Sequence, residues 1–69
     1  MDNGKYLKRM AENIKAARKK QGISQENLAK LCGFDASNLL RIEKGIRNPR
    51  LLTLKSIADV LKIDVKELL

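Results

Sequence analysis

Gly22, Gly33 and Gly45 cut this chain into segments whose apolar residues return every three or four positions, a period that belongs to helices and not to strands. Leu7, Met10, Ile14 and Ala17 follow one another at steps of 3, 4 and 3, with Lys8, Arg9, Glu12, Lys15, Arg18 and Lys19 on the other face. The spacing predicts a first helix from about Tyr6 to Gln21, ended by Gly22 in the left-handed region. Ser24 then caps a short second helix over Gln25 to Leu31, and Gly33 stops it. Asp35 opens a third helix whose buried side is marked by Leu39 and Ile42 and which ends at Gly45. Ile46-Arg47-Asn48-Pro49 reads as a loop, because proline disfavours helix in the residue before it. A fourth helix carries Leu51, Leu54, Ile57, Ala58 and Leu61 on one stripe. Asp64-Val65-Lys66-Glu67 has the D-x-x-E form of a capping box and opens a last short helical turn. The expected class is all-α, with five helices and no strand.

Sixty-nine residues hold one compact unit, expected at residues 6–69 behind a flexible 1–5 segment. A chain of this size buries only about 60% of its unfolded surface. With Tyr6 and Phe34 as its only aromatics, its core must be built from Leu, Ile, Val, Ala and Met.

Cys32 is the one cysteine, so a disulfide-stapled secreted fold is excluded and a cytoplasmic setting is expected. No apolar run resembles a secretion signal or approaches the roughly 20 residues of a membrane span. Histidine is absent, which leaves Ser24, Ser37 and Ser56 without an imidazole base and the chain without a zinc set. No enzyme activity, metal, cofactor or small-molecule ligand is expected.

The charge is large and segregated. Fifteen basic and eight acidic residues give +7. Residues 1–22 hold seven basic and two acidic groups, a net +5, and residues 35–50 hold four and two, a net +2. The remaining segments balance to zero. A field of this kind attracts a polyanion. If the first helix and the loop after the third border one surface, Lys5, Lys8, Lys19, Lys20, Arg47 and Arg50 can reach flanking phosphates. Taken singly, each lysine is equally a solvated surface residue. Ala29, small enough for close helix approach, and Gly33 in the turn suit a helix-turn-helix, although any αα-hairpin can use them so.

The run from Ser24 to Leu69 resembles the Cro/CI-type (xenobiotic-response-element type) helix-turn-helix family. The likeness is carried by Ser24-Gln25, Leu28-Ala29, Gly33, Leu39, Ile42-Glu43-Lys44-Gly45, Asn48-Pro49 and Leu61-Lys62-Ile63-Asp64-Val65. With the first helix included it spans about residues 6–69. It implies a lambda-repressor-like domain whose third helix enters the DNA major groove, and a homodimer reading two half-sites about one helical turn apart. Small phage Cro-like repressors and restriction-modification controller proteins share these features.

The positions early in the third helix are then the base readers: Ala36, Ser37, Asn38 and, one turn on, Arg41. Arg41 suits guanine, Asn38 adenine, and Ala36 a thymine methyl. Gln25 matches a family phosphate contact, joined by Lys20, Arg47, Asn48 and Arg50. Arg18 and Glu43 match an ion pair tying the first helix to the end of the third. The resemblance places the dimer contact at Ile46 and the last turn, with Val65, Leu68 and Leu69.

Three departures stand out. Ala36 replaces a common glutamine, Arg50 a common capping serine, and Lys62 the glycine that usually ends the fourth helix. Cys32 stands at a small apolar core position. Two other partner classes stay open from the residues: an antitoxin-type interaction module on the same fold, and an anionic membrane surface. The second is weak, because the apolar stripes are spent on one another.

Overall fold

The computed structural model describes residues 3–69. It contains four α-helices, α1 (Asn3–Lys20), α2 (Gln25–Cys32), α3 (Ala36–Glu43) and α4 (Leu51–Leu61), followed by a 3-10 turn over Val65–Leu68. The fifth element is therefore this single tight turn and not an α-helix. The first helix starts at Asn3, so residues 3–5 of the segment expected to be flexible form its first turn, while residues 1 and 2 lie outside the described residues.

Punctuation follows local chemistry. The Ser24 side chain accepts from the Asn27 N–H at 3.1 Å. Gly33 closes α2 in the left-handed region at φ 80°, where its missing Cβ removes the steric cost. Asp35 begins α3 without a side-chain capping bond. At the C-terminus, Glu67 accepts from the Asp64 N–H at 3.0 Å and Asp64 from the Lys66 N–H at 3.1 Å.

All five elements meet in one core of Ile14, Leu28, Ala29, Leu39, Ile42, Leu54, Ile57, Ala58, Leu61 and Leu68. Ala11 is buried too, whereas Leu7 is only half-buried. Gly45 marks a close approach on the neighbouring α1 position. A Cβ on this residue, which has φ 74°, would lie 3.3 Å from the Lys8 Cα, so the turn after α3 comes close against α1 and favours glycine at position 45. Leu51 continues the buried row of α4 by position, yet it is 66% exposed.

Leu68 needs a correction of function. It is fully buried and belongs to the core, not to a dimer surface. In a 3-10 turn residues i and i+3 eclipse, so Val65 and Leu68 share the inward side and Leu69 is left 56% exposed.

Lys62 ends α4 at φ 58°, ψ 42°, as the departure from glycine implied, a conformation that crowds any Cβ. Lys62→Gly should therefore stabilise the domain by about 0.5–1 kcal/mol after the added unfolded-chain entropy is deducted. In a thermal melt this reads as a rise of about 2–8 °C. A lowered midpoint would mean that the lysine stem contributes more than its backbone strain costs.

Candidate nucleic-acid interface

Two helices and the loop after them build the surface. The Phe34 N–H donates to the Ala29 carbonyl at 3.0 Å and the Gly33 N–H to Lys30 at 3.2 Å, which turns the chain sharply out of α2. Ala29, 1% exposed, lets α3 pack close to α2, and Leu28 and Leu39 seal the crossing. On α3, Leu39, Ile42 and Glu43 face inward.

Ala36, Ser37, Leu40 and Arg41 are exposed. At about 100° per residue these four fall within an arc of about 140°, and Asn38 lies about 60° beyond its edge. Asn38 is accordingly half-buried, and its Oδ1 is buried without a hydrogen-bond partner among the described residues. The expectation of a freely exposed Asn38 is corrected: it stands at the border of the face, not on it.

Leu40, 38% exposed, was missed by pattern reasoning, which assigns leucine to the core by default. Its signal was its place four residues after Ala36 and one before Arg41.

Ser37, Asn38, Arg41 and Arg47 line one groove, together with Phe34 and Asp35. Asn38 and Arg47 also line an adjoining cleft with Asn48, Arg50 and Thr53 at the start of α4. The fold thus gathers Arg41, Arg47, Asn48 and Arg50 along one side of α3. Lys20 is exposed in the last turn of α1, just before the turn into α2.

Beneath this surface Arg18 and Glu43 form a buried bidentate ion pair. Arg18 Nε donates to Glu43 Oε2 at 2.8 Å and Arg18 Nη2 to Oε1 at 3.0 Å. Arg18 Nη1 also donates to the Ile23 carbonyl at 2.8 Å, fixing the turn before α2. Gln25 is half-buried, and its Nε2 donates to Glu43 Oε1 at 2.9 Å.

The four residues expected at a dimer contact differ in their burial and surroundings. Leu68 is in the core. Ile46, 69% exposed, borders grooves shared with Lys8 and Lys44, while half-buried Val65 lines a groove with Lys55 and Asp59. Exposed Leu51 and Leu52 were not foreseen as surface.

Cys32 is half-buried against the core, and burial pushes its thiol up from its ordinary value. That reduces the thiolate population on which redox reactivity depends. No helix of the described residues is long and apolar enough to cross a membrane, and no His/Cys/Asp/Glu group among them could hold a metal ion.

The profile of the helix-turn-helix family HTH_3 matches residues 14–68. A helix-turn-helix-type transcriptional regulator of Bacillus subtilis, YazB, is 44% identical over 55 residues, covering 80% of each chain. Among solved structures, the restriction-modification controller protein C.AhdI from Aeromonas hydrophila superposes with a TM-score of 0.88 at 35% identity, covering 91% of this chain and 96% of the other. SinR, a master regulator for biofilm formation solved in complex with DNA, superposes with a TM-score of 0.82 at 33% identity, covering 86% and 95%.

Proposed function

The chain belongs to the HTH_3 helix-turn-helix family, and on that premise we propose that it is a sequence-specific DNA-binding transcriptional regulator that occupies a palindromic operator as a homodimer. The observation that carries the reading is the exposed arc of α3, Ala36, Ser37, Leu40 and Arg41, flanked on one side by Arg47, Asn48 and Arg50. An α-helix fits the major groove, and this arc is what α3 would present to the base edges.

Arg41 is the principal reader. Its guanidinium pairs bidentately with guanine O6 and N7, a contact worth about 1–3 kcal/mol of discrimination. Ala36 and Leu40 offer apolar contact to thymine methyls, and Ser37 can bond either base type. Asn38, at the border, reaches adenine only if its carboxamide turns outward. Gln25, Lys20, Arg47, Asn48 and Arg50 hold phosphates and set the register of α3. The likeness to a controller protein, over 91% of this chain and 96% of the other, supports the regulator reading. Its output would follow its own concentration through dimerisation and operator occupancy.

Selection of bound sequences from random DNA, repeated at rising salt, tests this reading. A palindromic consensus with half-sites about one helical turn apart is expected, with affinity that falls steeply as several counterions are released per dimer. Arg41→Ala should relax one base position per half-site, whereas Lys20→Ala should weaken all sequences alike. No enrichment, or affinity indifferent to salt, would remove the proposal. Equal losses for Arg41→Ala on selected and random DNA would reassign that residue.

A further inference from the structure

The amide of Gln25 is held by a group that never reaches the surface. Glu43 Oε1 accepts from both Gln25 Nε2, at 2.9 Å, and Arg18 Nη2, at 3.0 Å. The Glu43 side chain is 1% exposed, so solvent does not compete for that oxygen. Left alone, a glutamine at a helix start would sample many rotamers. Here one hydrogen of Nε2 is committed to Glu43, and the planarity of the amide then fixes the direction of the other. Around it lie the first-turn N–H groups of α2, which have no intrahelical acceptor; that of Asn27 is taken by Ser24, leaving those of Gln25 and Glu26.

We infer that Glu43 is a positioning residue for DNA binding: it sets the Gln25 carboxamide so that its second N–H, with the first-turn backbone N–H groups of α2, meets one phosphate oxygen of the duplex. A bare carboxylate so near a phosphate would repel it, and the bidentate Arg18 cancels that charge. Glu43 is also the last residue of α3, so one oxygen ties the phosphate contact to the recognition face and fixes the distance between them. The inference rests on the DNA-binding reading and deepens it.

Gln25→Ala, made in the parent protein and in an Arg18→Met/Glu43→Leu background, tests the coupling. Replacing both charges by apolar groups avoids stranding either one. In the parent, Gln25→Ala should weaken operator binding about tenfold. In the double-variant background, already weakened to a similar degree, it should cost less than about twofold. The same tenfold loss in both backgrounds overturns the inference while leaving the DNA-binding reading intact.

Relaxation of the Gln25 side-chain amide in the free protein gives a readout that needs neither DNA nor the double variant. A rigid amide, with an order parameter near about 0.8, is expected in the parent; a value below about 0.6 overturns the positioning role. If the parent enriches no DNA sequence at all, the proposed function fails and the phosphate contact falls with it.

Discussion

Glu43→Ala should lower the unfolding free energy by about 3–5 kcal/mol, because it strands a buried guanidinium. Arg18 is 9% exposed and Glu43 3%, so neither charge can recover its hydration by a small rotation. Without the carboxylate, Arg18 keeps only the Ile23 carbonyl, and Gln25 loses its acceptor. A domain of this length rarely holds more than about 3–5 kcal/mol in total, so the variant should lose its cooperative thermal transition near room temperature. Arg18→Met should do comparable damage by stranding the carboxylate. The double replacement Arg18→Met/Glu43→Leu should instead melt close to the parent, since well-packed apolar groups often replace a buried pair at no cost. Circular dichroism melts of the three variants check this. A Glu43→Ala protein within about 1 kcal/mol of the parent would mean that water reaches the guanidinium after all.

The same pair shows where sequence reasoning stops. Composition and periodicity say nothing of Arg18 and Glu43, which look like two more charges on helix surfaces; only their match to a family pattern singled them out. Gln25, read as a phosphate contact, also has an inward partner that no local pattern could reveal, since Glu43 lies 18 residues away.

Punctuation was more legible, because it is chemistry between near neighbours. Ser24, Gly33 and the Asp64-x-x-Glu67 box act within four residues of where they stand. The stripes of α1 and α4 were legible as helices but less so as burial. Ala11 is buried where Leu7 is only half-buried, and Leu51 stays exposed on the buried row of α4, outcomes that periodicity alone does not distinguish. Leu68 and Leu69 are chemically identical neighbours. Their opposite fates depend on a turn that is 3-10 and not α, a difference of one hydrogen-bond register. On α3 the exposed face was legible to within one helical position, which was enough to misplace Asn38 and to overlook Leu40.

If the chain acts as the proposed homodimer, Leu69→Asp should abolish that dimer, and with it most of the operator affinity, while leaving the fold intact. Leu69 is 56% exposed, and its neighbour Leu68 keeps its place in the core when position 69 becomes charged. Val65→Asp is a poorer choice than the sequence suggested, because Val65 packs against that core and its replacement would mix unfolding with dissociation. A carboxylate at a two-fold interface is repeated by symmetry, so each dimer would bury two like charges. Binding to two half-sites draws its strength from linkage: once one subunit is seated, the second binds at a high effective concentration. Losing that linkage should weaken binding to the two-half-site operator about a hundredfold, while binding to an isolated half-site stays unchanged. Sedimentation at micromolar concentration, circular dichroism and binding to both DNA lengths separate the outcomes. A dimer of unaltered strength moves the interface to another exposed apolar group, Leu51, Leu52 or Ile46. A folded monomer that has also lost its half-site affinity would place Leu69 against DNA instead of against a second copy.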